Sequence, residues 1–345
     1  MALFTHPEFD GHETVLFAQN DDDGLRTIIA VHDTTRGPAL GGCRVWNYAD
    51  EAEALTDVLR LSRGMSYKAA LAGLPLGGGK SVVLADSRRD KTEAMMRAMG
   101  RAVDRLGGRY IVAEDVGVSV ADMDAVALET SYVAGTSSNA GDPSPHTARG
   151  VCLSIEAAAR HRFGRGLDGL EVTVLGLGHV GARLAALLSE AGAKLTLADI
   201  REDAADEVAR ATGGHIVSVD EAHMVEADVF APCALGAVLN ARTIPEIGAQ
   251  VVCGAANNQL AQPGDDRRLA EANILYCPDY LVNAGGLISV ARGITGDDED
   301  VIARRVDGVP ATLVAVLEHA EAEGIPPGAA ADSLARARIE AARAG

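Results

Sequence analysis

Positively charged residues are few in this sequence compared with negatively charged ones. Only 31 lysines and arginines stand against 49 aspartates and glutamates, which gives a formal net charge of -18 over 345 residues. A surface of that sign repels the phosphates of nucleic acids and of anionic membranes. We therefore expect neither nucleic acid nor a membrane as a partner, and we interpret the acidity as favouring solubility.

Cysteine pairs, long apolar runs and clustered histidines are also missing. The five cysteines are scattered without CxxC spacing, which predicts neither disulfides nor a zinc knuckle. No uncharged apolar run reaches 18 residues, and the start, "MALFTHPEFDGHE", does not resemble a signal peptide, so we expect a cytoplasmic protein. The nine histidines include no HExxH pair, so we expect no metal site and no metal hydrolase.

The arrangement of apolar residues predicts an α/β protein with two domains. Strand-like segments alternate with helical periodicity, for example at 51–72 and 91–106. A strand "SVVLAD" is expected after Lys80, and "RYIVAED" should carry Asp115 to the end of a strand. The turn-rich segment "NAGDPSP" at 139–145 is the candidate hinge, and a helix is expected from about Thr147 to Arg162.

The segment "GLPLGGGKS" at 73–81 resembles a phosphate-binding P-loop but has the wrong spacing. A P-loop has four residues between its first glycine and the Gly-Lys pair, whereas five separate Gly73 from Gly79. A P-loop ATPase is therefore excluded.

The segment "GLGHVG" has the context of a dinucleotide site. Gly176, Gly178 and Gly181 follow an apolar strand and open a helix, so the pyrophosphate can approach the backbone at the helix N-terminus. Asp199 ends the next strand at the spacing expected of a ribose ligand, which favours NAD over NADP, although Arg201 lies close enough to favour the 2′-phosphate instead. The alternative is a structural glycine turn.

Two lysines of the N-terminal half have unusual surroundings. Lys68 and Lys80 are flanked by small and apolar residues, so each is expected to be poorly solvated and suited to acid-base work. Either lysine taken alone is more often a surface charge.

Seven motifs occur in an order that resembles the glutamate/leucine/phenylalanine/valine dehydrogenase family, especially its leucine and phenylalanine branch. They are "GPALGGCR", "RGMSYKAALAGLPLGGGK", "AEDVG", "GDPSPHTARG", "GLGHVG", "GAANNQ" and "NAGG". The resemblance implies an N-terminal substrate and oligomerisation domain at 1–140 and a Rossmann NAD-binding domain at 141–324, separated by a cleft. A C-terminal helix at about 325–345 would pack back on the first domain, and the protein would be a homo-oligomer.

The resemblance also assigns roles. Lys68 would bind the substrate α-carboxylate, Lys80 would act as general base, and Asp115 would exchange protons with the amino group. The implied substrate-binding set is Lys68, Leu40, Gly41, Gly42, Met65, Ala113, Asn283, Leu287 and Val290. The implied cofactor-binding set is Gly176, Leu177, Gly178, His179, Val180, Gly181, Asp199, Thr147, Ala234 and Asn257. The alternatives are a helix N-cap for Asp115 and a turn residue for Asn283.

The reaction implied is NAD-dependent oxidative deamination of an apolar L-amino acid to a 2-oxo acid and ammonia. Leu40, Ala113, Leu287 and Val290 would form an apolar side-chain pocket that disfavours glutamate, and leucine or another branched-chain amino acid is expected, with phenylalanine as the alternative. A non-catalytic NAD-binding regulator is the alternative from another class, and it predicts loss of Lys80 or Asp115. A 2-hydroxy-acid dehydrogenase would need a catalytic His-carboxylate pair, which we do not find.

Four residues depart from the family pattern. They are Cys43, His146, Arg149 and His179.

Overall fold

The computed structural model describes residues 2–138, 141–234 and 236–344, and the chain divides into two units. Unit 1 comprises residues 1–141, 290–297 and 335–345, and unit 2 comprises residues 142–289 and 298–334. The first division falls one residue after the expected boundary at 140, but the C-terminal part is not divided at 324. Residues 290–297 group with unit 1, and the expected C-terminal helix divides between 334 and 335. Asn139 and Ala140 of the candidate hinge lie outside the described residues.

Unit 1 contains a mixed five-stranded sheet. Its strands are β1 (Thr14–Asn20), β2 (Leu25–Asp33), β3 (Ala39–Trp46), β4 (Gly77–Leu84) and β5 (Tyr110–Glu114). The order across the sheet is β1-β2-β4-β3-β5, with β3 parallel to both of its neighbours. Because β3, β4 and β5 run in the same direction, their carboxyl ends meet at one edge of the sheet.

Helices cover both faces of this sheet. They are α1 (Glu51–Leu71), α2 (Glu93–Asp104) and α3 (Val120–Ala127). Alternate residues of β2 face opposite sides: Ile28 packs with Val58 and Leu59 of α1, and Ile29 packs with Met96 and its neighbours in α2. The expected helices at 51–72 and 91–106 are confirmed to within about two residues.

The strand expected after Lys80 starts earlier than the sequence indicates. Gly77, Gly78 and Gly79 belong to β4 itself. A Cβ at Gly77 would overlap the carbonyl of Asp33, one at Gly78 would overlap the backbone of Ser66, and one at Gly79 would lie 2.6 Å from the Tyr110 ring. Glycine has low strand propensity, but here neighbouring backbone and side chains approach too closely for any other residue.

Unit 2 contains a parallel six-stranded sheet. Its strands are β6 (Glu171–Leu175), β7 (Lys194–Ala198), β8 (His215–Ile216), β9 (Ala227–Pro232), β10 (Ala249–Val252) and β11 (Leu275–Tyr276). The order β11-β10-β9-β6-β7-β8 places the first strand in the middle, which is the doubly wound arrangement of dinucleotide-binding domains. The strand β7 lies on one side of β6 and β9 lies on the other, so the strand order reverses at β6. Sheets of this kind bind ligands at the carboxyl ends of the strands where the order reverses.

The remaining helices complete the chain. They are α4 (Ser144–Phe163), α5 (His179–Glu190), α6 (Glu202–Thr212), α7 (Asp265–Glu271), α8 (Asp279–Val282), α9 (Gly285–Thr295), α10 (Glu299–Asp307), α11 (Val309–Glu323) and α12 (Pro327–Ala344). The helix α4 begins at Ser144, three residues before the expected start. Near the end of α12, the Arg338 guanidinium donates to the carbonyls of Ala70 and Leu71 at the end of α1. No helix among the described residues is long and apolar enough to cross a bilayer.

A pair of buried histidines lies between the sheet of unit 1 and α1. His12 Nδ1 accepts from the backbone N–H of Asp10, and its Nε2 donates to the carbonyl of Leu59. His32 Nδ1 is 2.8 Å from Ser66 Oγ, and the two imidazole rings are 4.8 Å apart. Burial, and then the neighbouring His12, lowers the pKa of His32 to about 4.

This pair predicts a pH-dependent stability of unit 1. Because the pKa of His32 is about 4 in the folded chain and 6.5 in the unfolded chain, its stabilising contribution is present above pH 6.5. As the pH falls from 6.5 to about 4, the free energy of unfolding decreases by about 1.4 kcal/mol per pH unit. Replacing His32 by Gln should therefore destabilise the chain at pH 7 by about 2 kcal/mol more than it does at pH 5. Urea unfolding, followed by the fluorescence of Trp46, the one tryptophan, measures the difference in free energy of unfolding between the parent and His32→Gln at each pH. An equal difference at pH 7 and pH 5 would contradict the assigned role of His32.

Candidate active site

Lys80 and Asp115 form an ion pair across β3 of the unit 1 sheet. Lys80 lies in β4 and Asp115 directly follows β5, and the distance from Lys80 Nζ to Asp115 Oδ2 is 2.6 Å. The lysine side chain is only 7% exposed and the aspartate 25%. A lysine buried to this extent is not a surface charge, so the alternative weighed for an isolated lysine does not apply.

The pair spans the intervening strand β3 because Gly42 has no side chain. A Cβ at Gly42 would lie 2.6 Å from Asp115 Cβ and 3.2 Å from Lys80 Nζ. A Cβ at Gly41 would overlap the carbonyl of Gly79 in β4. The two glycines thus bring β3 close to β4 and leave the space over β3 to the ion pair.

Arg44 is a third charged group, and it lies beside this ion pair. Its Nε lies 3.1 Å from Asp115 Oδ2, the same oxygen that Lys80 contacts, and its Nη1 donates to Asp57 Oδ2 at 2.9 Å. Burial raises the pKa of Asp115, but the charges of Lys80 and Arg44 more than offset burial and hold that pKa below its ordinary value. Asp115 is therefore ionised at neutral pH.

Asp115 is not the N-cap of the helix that follows it. The cap of α3 is Ser119, whose hydroxyl accepts from the N–H of Asp122, while the Asp122 carboxylate accepts from the N–H of Ser119. The Asp115 side chain is thus committed to the two cations.

Most of the other residues expected at the substrate site are also in unit 1. Leu40 is fully buried in β3, and Ala113 of β5 pairs in register with Gly42. Met65 and Lys68 lie in the second half of α1, which packs against β4. Val290 groups with unit 1, whereas Asn283 and Leu287 belong to unit 2.

The glycine turn of unit 2 has the geometry expected of a dinucleotide site. Gly176 has φ +97, and a Cβ at Gly181 would overlap the carbonyl of Gly176, so both positions require glycine. Open space surrounds the position of a Cβ at Gly178, which is the N-cap of α5. A Cβ at Gly176 would lie 2.6 Å from the Cβ of Ala234, which places Ala234 beside the turn. Leu177 is buried within the turn, and His179 and Val180 open the helix.

Asp199 connects this turn to the next strand. Its Oδ2 accepts from the N–H of Leu177 at 2.6 Å and its Oδ1 accepts from the N–H of Arg201 at 2.8 Å. Burial raises the pKa of Asp199, but these N–H donors and the charge of Arg201 lower it below its ordinary value. The carboxylate is therefore charged and held at the end of β7.

Unit 2 also contains Asn283, expected at the substrate site, and Asn257 and Thr147, expected near the cofactor. Asn283 donates from Nδ2 to Asn257 Oδ1 at 2.9 Å and to the carbonyl of Ala255. A Cβ at Gly286 would lie 2.9 Å from the hydroxyl of Thr147. Asn283 caps the C-terminus of α8, and its amide also holds the 254–259 loop, so it is more than a turn residue.

Two family profiles match the chain. The dimerisation domain of the Glu/Leu/Phe/Val dehydrogenases matches residues 12–132, and the glutamate/leucine/phenylalanine/valine dehydrogenase domain matches residues 195–343. The chain belongs to the Glu/Leu/Phe/Val dehydrogenase family. It is an amino-acid dehydrogenase.

Similar proteins cover almost the whole of this dehydrogenase. Leucine dehydrogenase from Thermoactinomyces intermedius is 47% identical over 99% of this chain and 95% of that protein. Valine dehydrogenase from Streptomyces virginiae is 47% identical over 98% of this chain and 96% of that protein. The crystal structure of L-tryptophan dehydrogenase from Nostoc punctiforme superimposes with a TM-score of 0.88 at 43% identity, covering 97% of this chain and 98% of that one.

Three of the departures from the family pattern have local partners or a buried setting in the dehydrogenase. His146 Nε2 lies 3.2 Å from Glu299 Oε1, and the Arg149 guanidinium forms a bidentate salt bridge with the Asp307 carboxylate. Cys43 is completely buried, and burial raises the pKa of its thiol to about 11, so it stays neutral. His179 is exposed in the first turn of α5.

Sequence reasoning missed Arg44 and Tyr110. Arg44 stands in the motif "GPALGGCR", so its position was visible but its partner was not. The buried Tyr110 hydroxyl donates to the carbonyl of Gly41 at 2.8 Å and lies 3.0 Å from Ser81 Oγ. Nothing along the chain signals these contacts, because they join different strands.

The crossing at Gly42 predicts a large effect of one methyl group. Replacing Gly42 by Ala should push Asp115 away from Lys80 and lower kcat by about 100-fold, since a displacement of about 1 Å in a reacting constellation has that effect. Gly64 in α1 is the matched control, because nothing lies within 4 Å of a Cβ there. Gly64→Ala should keep full activity and leave stability equal or higher. Steady-state kinetics with circular dichroism compares the two, and an active Gly42→Ala protein would refute the crossing constraint.

Proposed function

We propose that the chain catalyses the NAD-dependent, reversible oxidative deamination of an apolar L-amino acid, leucine or another branched-chain amino acid, to the 2-oxo acid and ammonia. The observation that carries the proposal is the buried Lys80–Asp115 pair at 2.6 Å, set over a strand whose glycines leave room beside it. A positioned base with a carboxylate partner is what hydrolysis of an imino acid requires.

The chain's own residues supply position and proton transfer. Lys68 binds the α-carboxylate of the substrate as a fixed cation, and Asp115 takes a proton from the substrate ammonium. Bound NAD would supply the hydride acceptor for the α-carbon, so that the amino acid would become an imino acid. Lys80 then takes a proton from a water molecule while the oxygen of that water adds to the imino carbon. Ammonia leaves as the carbonyl of the 2-oxo acid forms.

The residues of unit 2 fit NAD. The open space at Gly178 and the free first turn of α5 suit a pyrophosphate, with the side chain of His179 available beside it. The ionised Asp199 suits the two ribose hydroxyls and repels a 2′-phosphate. Arg201 lies beside Asp199, with 3.6 Å between its Nε and Asp199 Oδ1, and it is the group that would attract a 2′-phosphate instead.

Apolar residues support the substrate preference. Leu40, Ala113, Leu287 and Val290 carry no group that could pair with a second carboxylate, so a buried glutamate side chain would lose several kcal/mol of solvation. The similar proteins that act on leucine, valine and tryptophan agree with an apolar side chain. Phenylalanine remains the alternative substrate.

A homo-oligomer formed through unit 1 is part of the proposal. The match to a dimerisation domain falls in this unit, and β1 is an edge strand with Phe17 48% exposed. The five cysteines are all free thiols, as suits the cytoplasm.

The proposal predicts NADH formation that depends on Lys80. With NAD and a panel of L-amino acids, we expect leucine, valine and isoleucine to be the best substrates, and Lys80→Ala to lower kcat by about 1,000-fold or more. Lys91→Ala is the matched control, because Lys91 also forms a partly buried ion pair, with Asp122 at 2.6 Å.

The panel also separates the alternatives. A preference for phenylalanine would retain the mechanism and overturn the side-chain assignment. NAD binding without turnover of any amino acid would favour the non-catalytic regulator, and turnover that survives in Lys80→Ala would refute the assigned base.

The cofactor preference depends on one carboxylate. Asp199→Asn retains an acceptor for the N–H of Leu177 but removes the negative charge, so KM for NADP should fall about tenfold while KM for NAD rises, because an acceptor for the ribose hydroxyls is lost. Arg201→Ala is the control: if Arg201 binds a 2′-phosphate in the parent chain, that variant will lose NADP activity. Equal use of NAD and NADP by the parent would contradict the proposed preference.

A further inference from the structure

The Asp115 carboxylate is shared between two cations through a single oxygen. Oδ2 lies 2.6 Å from Lys80 Nζ and 3.1 Å from Arg44 Nε. Lys80 comes from β4, Arg44 from β3 and Asp115 from the end of β5, so three adjacent strands each contribute one charge. Two donors on one oxygen determine the orientation of the carboxylate.

Arg44 is itself held from the helix side. Its Nη1 donates to Asp57 Oδ2 of α1 at 2.9 Å, and the Tyr48 hydroxyl donates to the same oxygen at 2.7 Å. Burial lowers the pKa of Arg44, but the carboxylates of Asp115 and Asp57 more than offset burial and raise it, so the guanidinium stays charged.

The other titratable groups packed here stay neutral. Burial raises the pKa of the Cys43 thiol to about 11, and it also raises the pKa of Tyr48 and of Tyr110. Arg60 adds a positive charge 3.5 Å from Asp57. Two arginines therefore balance two carboxylates, and the protonated Lys80 is the excess charge of the cluster.

This balance matters because a general base must release its proton. An isolated, buried lysine-aspartate pair stabilises the ammonium, since the carboxylate is neutralised only while the lysine is charged. Here Arg44 neutralises the carboxylate independently of Lys80. The cluster is therefore electrically balanced when Lys80 is neutral, which is the form that can activate water.

We propose that Arg44 is a positioning residue of the dehydrogenase reaction. It orients Asp115 and neutralises that carboxylate independently of Lys80, so the Lys80–Asp115 pair as a whole holds its proton less tightly than an isolated lysine-aspartate pair would. This inference rests on the proposed function, in which Lys80 is the base and Asp115 its partner. Arg44 acts through Asp115 and needs no contact with substrate or cofactor.

The test is the pH dependence of kcat/KM for the substrate that the panel selects, in Arg44→Gln, Arg44→Lys and the parent. Without the guanidinium, a positive charge beside the Lys80–Asp115 pair is lost, so the pair holds its proton more tightly and the Arg44→Gln curve should rise at higher pH. On its acid side kcat/KM should fall about tenfold or more, with the gap narrowing as pH increases. Arg44→Lys retains a positive charge, so its curve should rise near the pH of the parent even if its maximum is lower. Titration of the substrate amino group affects the pH profile of every protein equally. The effect of each substitution is therefore the difference between its curve and that of the parent.

Arg101→Gln is the matched control. Arg101 is an ion-paired arginine of unit 1 whose partners, Asp23 and Glu129, lie outside the site. Its curve should superimpose on that of the parent. NADH binding and Trp46 fluorescence show whether each variant is folded.

Two results would overturn the inference. One is an Arg44→Gln activity lowered by the same factor at every pH, which is what a purely structural role predicts. The other is a curve for Arg44→Lys that moves as far as that for Arg44→Gln. If Arg44→Gln does not fold, Asp57→Asn provides the second arm: it removes a negative charge from the cluster, so its curve should move to lower pH, and a curve that stays or moves to higher pH contradicts the proposal.

The proposed function is judged separately, by the parent and Lys80→Ala. If the parent turns over no amino acid, or if Lys80→Ala stays active, the proposed function and this inference both fall. If those two behave as expected and the Arg44→Gln curve is not displaced, only the inference falls.

Discussion

A lysine on one strand and an aspartate two strands away can meet only across a strand that has no side chain at the crossing point. In this chain Gly42 meets that condition, and the pair of Lys80 and Asp115 lies directly over it. Glycine is also required at Gly41, where β3 and β4 approach too closely for a Cβ, and at Gly79, where a Cβ would meet the Tyr110 ring. The glycines thus serve the packing of a sheet and the placement of charges together.

The charges around the Lys80–Asp115 pair contrast with the composition of the whole chain. The sequence carries a large excess of acidic residues, yet Lys80, Arg44 and Arg60 gather around only two carboxylates, Asp115 and Asp57. A local excess of positive charge is suited to a substrate with a carboxylate.

In unit 2, Asp199 has two structural tasks besides any contact with a ligand. Its oxygens accept from the N–H groups of Leu177 and Arg201, so the glycine turn and the residue after β7 are held by the carboxylate proposed for ribose binding. A substitution that removes these acceptors would disturb the turn as well as the charge. Asp199→Asn removes the charge but retains one of the two acceptors.

The sequence by itself determined those features that depend on neighbours along the chain. The helical periodicity of α1, the strand-turn-helix around Gly176 and the ordered motifs identify an amino-acid dehydrogenase with a doubly wound domain. Only the tertiary structure decided which groups meet between strands: that β4 begins within the glycine run, that Arg44 shares the carboxylate of Asp115, and that residues 290–297 group with unit 1. The physical reason is that periodicity reports which face of an element is buried, whereas strand order determines what that face touches. A local pattern of small residues looks like a flexible loop until the neighbouring backbone that requires them is in place.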